Sequence, residues 1–260
     1  MSVRLRQLGA LICLSVLELY RRKDLFVVFV LAAVILLPLA FFAPFGVTGA
    51  GRYVNELALL LVWLFSIVIG LGTSARLFPP EFESRTIYPM LAKPVARGTV
   101  LLGKYSGALA ASLLALAVFY LAYGLLTGFR QGVWFPPVLW QAFALHTGFL
   151  VIVTALGLLG SLLLTASANV TLCGLLIVGM LSFGQRLAAL AATQTVPGKW
   201  VLYVIHWVGP HLEFFDLRQR LVHEWPPIGW GVCAAVLAYA ACYAAACLAL
   251  SGLIFKKKRF

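Results

Sequence analysis

The sequence predicts an all-α, polytopic membrane protein of about six transmembrane helices, preceded by an N-terminal helix in the membrane interface. Of its 260 residues, 63% are hydrophobic and only 11% are charged, whereas a soluble domain carries roughly 25% charged residues. The apolar runs extend over about 18–27 residues and lack strict alternation, which favours spanning helices over barrel strands. A helix also satisfies every backbone amide within the hydrocarbon region.

The N-terminal segment, residues 1–24, is predicted to be an amphipathic interfacial helix. Its apolar residues recur at helical spacing between basic clusters, and its apolar core is too short to span a bilayer. No small-residue cleavage site follows it, so it does not resemble a signal peptide. The predicted spans are residues 25–43, 54–75, 104–127, 138–164, 169–190 and 228–255, and we expect residues 1–260 to form one transmembrane domain.

The distribution of Lys and Arg predicts that both termini are cytoplasmic. With the N-terminus inside, the interior segments hold fourteen of the twenty basic residues and the exterior segments hold six. Basic residues concentrate on the cytoplasmic side, so an N-in, C-in topology follows. The net charge of +12 is then explained by loops facing anionic headgroups, and no nucleic-acid partner is expected.

The interior loop between the second and third spans, residues 76–103, is predicted to form a stiff cytoplasmic projection. Pro79 and Pro80 are expected to end the span and to begin a short helix. Glu81 then falls in the first turn, four residues before Arg85, with which it can pair. A solvated loop that merely joins two spans is the alternative interpretation.

Residues 98–104 match the GxxxxGK pattern of a phosphate-binding loop. The next residue is Tyr105 where a metal-coordinating Ser or Thr is required, and no strand precedes the pattern. We therefore expect this chain to bind no cofactor. Any ATP and Mg²⁺ would be bound by a partner subunit.

Two segments resemble a known family. The run EFESRTIYPMLAKPVAR, residues 81–97, followed by LLGKY, resembles the signature loop of ABC-2 type transporter permeases, with its acidic doublet, Thr, Pro, Arg and Gly-Lys pair. The segment PHLEFFDLR, residues 210–218, resembles the subgroup linked to copper-enzyme maturation, the nitrous-oxide-reductase type. Ser84 and Arg85 stand where many members have Gly, a departure that concerns the subgroup and the substrate.

This resemblance implies a non-catalytic permease subunit in the bacterial inner membrane, acting as a homodimer or as a heterodimer with a second permease. It would couple ATP hydrolysis by a separate cytoplasmic ABC ATPase to the export or translocation of a substrate. A coupling helix near residues 81–88 would seat in a cleft of that ATPase. The implied coupling residues are Glu81, Phe82, Glu83, Ser84, Arg85, Thr86, Leu91, Lys93, Pro94 and Arg97.

Polar residues inside the spans are candidates for a translocation path, because burying them in lipid is costly. Gln185, Arg186 and His146 are the candidates of this kind; Gln141 in the fourth span is a weaker one, for which a hydrogen bond to a neighbouring helix suffices. Snorkelling of Arg186 to the headgroups and a helix-to-helix hydrogen bond from His146 are the alternatives. Two GxxxG pairs in the third span, at 103/107 and 124/128, predict close helix packing.

The exterior segment, residues 191–227, is predicted to carry short helices and a surface for a periplasmic partner. His206, His211 and His223 are its candidate metal ligands. Their spacing matches no recognised ligand pattern, so we predict no metal site. Imidazole and indole side chains also suit a membrane interface.

Other classes of function compete with an ABC permease. An ion-coupled secondary transporter is disfavoured, because no Asp or Glu lies at the centre of a predicted span. A membrane anchor or scaffold of a soluble complex, without transport, would require only the interior loop. An intramembrane enzyme would need convergent catalytic groups at one depth, and the sequence shows none.

Overall fold

The computed structural model describes residues 50–84, 96–193 and 198–257, together with Gly9, Cys13, Leu17, Phe26 and Val30. Every regular element in these ranges is a helix, and five of the helices are long and apolar enough to cross a membrane. The all-α, polytopic class is therefore confirmed. Apart from the five single positions, the interfacial helix predicted for residues 1–24 and the span predicted for residues 25–43 lie outside the described residues.

The described helices follow the predicted spans in order. They often begin earlier than hydropathy suggests, because a helix continues into polar residues after its lipid-embedded part ends. The bounds are α1 (Ala50–Ser74), α2 (Pro79–Glu83), α3 (Arg97–Gln131), α4 (Pro137–Ser161), α5 (Ala166–Thr193), α6 (Gly198–Val208), a 3-10 helix (Leu212–Phe215), α7 (Arg218–Val222) and α8 (Trp230–Lys257).

Helix α4 is the centre of the described bundle. It packs against α1, α3, α5 and α8, and most of its residues are buried. In contrast, α5 and α8 expose most of their side chains in the single chain. The bundle is therefore built around α4, while α5 and α8 present apolar surface outward to lipid or to another protein chain.

Side-chain amides fix both ends of α4 to neighbouring segments. Gln141 donates to the carbonyl of Ile228 at 2.7 Å and accepts from its backbone N–H at 3.0 Å, which places the start of α8. Asn169, at the start of α5, donates to the carbonyl of Gly157 at 2.7 Å. Such bonds are favoured inside a membrane protein, where an unpaired backbone group is costly.

The GxxxG pair at Gly124 and Gly128 contacts aromatic rings rather than another helix. A Cβ on Gly124 would lie 2.5 Å from the ring of Phe135, and one on Gly128 would lie 2.5 Å from the ring of Trp134. Both rings belong to the turn that follows α3. The prediction of helix-to-helix packing at this pair is wrong, because the chain folds its own aromatic turn back onto the glycine face.

The segment between α5 and α8 packs on the bundle rather than projecting from it. Helix α6 lies against α5, the 3-10 helix contacts α4 and α5, and α7 contacts α1 and α4. Leu212 and Phe215 of the 3-10 helix are fully buried. The segment resembling the copper-maturation subgroup, residues 210–218, thus contributes to the hydrophobic core.

Candidate functional site

The short helix α2 begins with two prolines, as predicted, and is attached to α3 by an ion pair. Glu81 accepts from Lys104 Nζ at 2.5 Å. The same ammonium donates to the carbonyl of Leu77 at 3.0 Å and lies 5.2 Å from the centre of the Phe78 ring. The Lys104 side chain is only 8% exposed. One buried cation therefore holds the α1–α2 connection and α2 itself against α3.

An aromatic cluster attaches the same region to the end of α8. Phe78 and Phe255 are buried, and their ring centroids are 5.2 Å apart. Phe82 stacks on Phe78 at 5.7 Å. Offset and tilted ring pairs of this kind add to the free energy gained from burying the rings.

Arg97, at the first position of α3, attaches α3 to the end of α8. Its Nη1 donates to the carbonyls of Phe255 and Lys256, each at 3.1 Å. These carbonyls belong to the last turn of α8, where helix geometry provides no intrahelical donor and the dipole favours a cation. We call Phe78, Glu81, Arg97, Lys104 and Phe255 the α2 junction; it joins α2, α3 and α8 at one end of the bundle.

The outer face of α2 carries Glu83 and Ser84, which are both exposed. The Ser84 hydroxyl donates to the carbonyl of Pro80 at 2.7 Å and so closes the helix. The helix therefore has an inner face bound to the bundle and an outer face open to a partner. The implied coupling residues Arg85, Thr86, Leu91, Lys93 and Pro94 lie outside the described residues.

The predicted pairing of Glu81 with Arg85 lies outside the described residues, because Arg85 does. Glu81 pairs with Lys104, the last residue of the GxxxxGK pattern. Residues 98–104 are helical and form the first turns of α3, so the pattern is no phosphate-binding loop. Phe78, Phe255 and Lys104 were not predicted as site residues. A sequence signal exists only for Lys104, which is the lysine of the Gly-Lys pair in the signature loop.

His146 lies in the middle of α4, fully buried. Its Nε2 is 2.7 Å from the hydroxyl of Ser66 on α1, and its Nδ1 is 3.2 Å from the hydroxyl of Tyr120 on α3. The ring stacks on Trp63 with centroids 4.3 Å apart. Both ring nitrogens thus have partners, and the residue links three helices.

The other translocation-path candidates lie on α5. Arg186 is exposed on the surface of the single chain. Gln185 precedes it in the same helix, and its side chain is outside the described part. The structure does not bring Arg186 into contact with His146.

Two of the three exterior histidines come together. The rings of His206 and His211 have centroids 4.8 Å apart, and His211 Nδ1 lies 3.5 Å from a Glu213 carboxylate oxygen. His223 instead stacks on Trp225, with centroids 5.5 Å apart. In the described ranges, no three His, Cys, Asp or Glu side chains are arranged to hold a metal ion.

Comparison with known proteins identifies the family of the chain. Residues 20–259 match the family model described as ABC-2 family transporter protein. A search of functionally curated proteins gave no match. Because the family model covers nearly the whole chain, this protein belongs to the ABC-2 family of transporters and is a multi-pass ABC transporter permease.

Proposed function

We propose that this permease couples ATP hydrolysis by a separate cytoplasmic ABC ATPase to the movement of a substrate across the membrane. The ATPase acts on the outer face of α2 and on the residues that follow it. One observation carries the proposal: the α2 junction ties this short helix to α3 through Glu81 and Lys104, and the turn before it to α8 through Phe78 and Phe255. Arg97 in turn joins α3 to the end of α8, so a displacement of α2 would reach both helices.

The junction makes α2 suitable for transmitting force. A flexible link would dissipate a push, whereas the Glu81 and Phe82 amides both bond the carbonyl of Phe78 at 3.0 Å and fix α2 to the preceding turn. Lys104 then connects that turn to α3. Force applied to the outer face of α2 is thereby delivered to two spanning helices at once.

The working unit that follows from this proposal has two permeases and two ATPases in a bacterial inner membrane. The permease mate is either an identical chain or a related one, and it packs on the exposed apolar helices. ATP and Mg²⁺ bind to the ATPases, and the permease contributes no catalytic group. Both termini and α2 lie on the cytoplasmic side, and the segment from α6 to α7 faces the exterior, where a periplasmic partner can reach it.

The docking role is tested by charge reversal on the outer face of α2. Glu83→Lys is expected to abolish copurification of the ATPase while membrane insertion stays intact. Glu56→Lys, which changes an exposed carboxylate at the opposite end of α1, is the matched control and should retain the ATPase. Equal copurification with both variants would show that α2 is not the docking helix.

Reconstitution separates transport from scaffolding. In liposomes, a permease that receives the ATPase stroke should alter the rate of ATP hydrolysis, and Glu83→Lys should remove that effect. A scaffold would bind the ATPase without changing its rate. An ion-coupled secondary transporter would move its substrate without the ATPase and would respond to an ion gradient instead.

The substrate class is proposed on a narrower basis. The likeness of residues 210–218 supports a place in the copper-enzyme-maturation subgroup, although their burial in the core also gives them a packing role. Deleting the gene should then lower the activity of a copper enzyme of the host, with recovery on complementation. Unchanged copper-enzyme activity would exclude the subgroup without affecting the permease assignment.

A further inference from the structure

A small cavity of about 180 Å³ lies at the end of the bundle opposite α2. It is open to solvent and is lined by the start of α1, the end of α3, the start of α4 and the turn before it, and by α7 and the turn that follows it. Its polar lining consists of Asn55, Tyr123, Thr127, Arg220 and Glu224, with the indole of Trp225 beside them. No residue of the α2 junction contributes to it.

Two buried polar side chains face this cavity without a partner. Asn55 is 6% exposed and Tyr123 is 4% exposed. Within the described ranges, the amide of Asn55 and the hydroxyl of Tyr123 make no hydrogen bond. Their polar atoms reach the open space of the cavity, since neither belongs to the fully buried polar atoms that lack a partner in the described residues. Both side chains are therefore available to a molecule in the cavity.

Arg220 is held in place at the cavity wall. Its Nη1 donates to the carbonyl of Pro226 at 2.9 Å, and its guanidinium carbon lies 5.9 Å from the centre of the Trp225 ring. A guanidinium has further N–H donors in a fixed planar fork, suited to phosphate or carboxylate oxygens. The arginine is thus positioned before any ligand binds.

Glu224 occupies a backbone conformation that normally belongs to glycine. Its φ is +53°, and the following amide, of Trp225, bonds back to the carbonyl of Arg220 at 3.0 Å. This is the left-handed position that ends many helices, where glycine avoids the steric cost of a side chain. Glu224 forms no ion pair with any residue of the described ranges. This conformation is strained for a residue that has a side chain, and the exposed carboxylate of Glu224 is available to a ligand in the cavity.

We propose that this cavity binds a zwitterion, with an anionic group on Arg220 and an ammonium group on the carboxylate of Glu224. Asn55 and Tyr123 supply hydrogen bonds to the linking atoms. Ethanolamine phospholipid headgroups and small soluble zwitterions share this chemistry. The site is independent of ATPase docking, so either proposal can fail alone.

Binding is measured on the purified full-length chain by calorimetric titration with glycerophosphoethanolamine. The zwitterion should bind saturably, and ethanolamine or glycerol phosphate alone should bind at least about tenfold more weakly, because each loses one charged contact. Similar affinity for the zwitterion and for either single-charge compound would overturn the proposal.

Conservative variants test the residues. Glu224→Gln and Tyr123→Phe should each weaken binding of the zwitterion, whereas Glu56→Gln and Tyr53→Phe should leave it unchanged. Glu56 and Tyr53 are exposed residues of α1 outside the cavity. Wild-type affinity in Glu224→Gln would contradict the assignment.

Glu224→Gly separates binding from folding. Glycine adopts the left-handed conformation without steric strain, so this variant should unfold at a higher temperature than the wild type. It should nevertheless fail to bind the zwitterion. A stabilised variant with unchanged binding would show that the carboxylate takes no part.

Nanodiscs identify the source of the ligand. If the natural ligand is a lipid, nanodiscs of phosphatidylethanolamine should prevent the soluble probe from binding, whereas nanodiscs of phosphatidylglycerol should allow it to bind. If the natural ligand is soluble, the probe should bind in both. Failure of the probe to bind in both kinds of nanodisc would refute the site.

Discussion

Replacing Lys104 with methionine should loosen α2 from the bundle while leaving the spanning helices in place. The substitution keeps an unbranched apolar side chain of similar length but removes the ammonium group. Glu81 then loses its cation, and the carbonyl of Leu77 loses its donor. The other Glu81 oxygen, Oε2, is already buried without a hydrogen-bond partner in the described ranges, so the carboxylate has no second contact there to compensate.

The size of the effect follows from these contacts. A hydrogen bond to a charged group contributes about 1.5–3 kcal/mol, and a cation over an aromatic face about 0.5–1 kcal/mol. The Glu81 side chain is 24% exposed, so water screens part of the ion pair, and removing the ammonium also removes the cost of burying it. We expect Lys104→Met to lower the free energy of unfolding by about 2 kcal/mol.

A double-mutant cycle isolates the ion pair. Lys104→Met, Glu81→Gln and the double variant are unfolded by heat in detergent, and the coupling energy is expected to be about 1 kcal/mol. Lys257→Met, at an exposed position of α8, is the control and should behave as the wild type. A coupling energy near zero, or an equal loss in the control, would refute the attachment of α2 through Lys104.

Three further substitutions test the packing around α4, each followed by thermal unfolding in detergent. Gln141→Leu removes both bonds to Ile228 and should cost about 1–3 kcal/mol. Gly157→Ala places a Cβ 2.0 Å from the Ser74 hydroxyl and should cost about 1–3 kcal/mol, with partial recovery in combination with Ser74→Ala. His146→Leu leaves two buried hydroxyls without their imidazole partner and should cost about 2–4 kcal/mol. Wild-type stability of any one of the three variants would contradict the contact that it removes or disturbs.

The positions of the five described spans could be predicted because hydropathy is a local property of the chain. The start of α2 was equally local, since a proline pair favours the first turn of a helix. Lys104, the described partner of Glu81, is not close to it in the sequence. Spacing along a helix suggests neighbours three or four residues away, whereas Lys104 follows 23 residues later and reaches Glu81 only because α3 packs beside α1.

The same distinction explains the other differences. Phe255 carries no sequence signal for a role beside Phe78, because the two rings meet only when α8 returns to the same end of the bundle. The glycines at 124 and 128 correctly indicated a close approach. Spacing alone does not specify what approaches, and an aromatic turn can fill a glycine face as well as a helix can.

The arrangement of polar contacts also restricts how the permease can respond to a push on α2. His146 links α4 to α1 and α3 in the middle of the bundle, and Gln141 links α4 to the start of α8. Sliding α3 or α8 along α4 would break these buried bonds, at about 1–3 kcal/mol for each group left unpaired. Tilting the linked helices as a unit breaks none of them. Under the proposed coupling, we therefore expect a push on α2 to move α1, α3, α4 and α8 together against a neighbouring subunit, with little rearrangement among these four helices.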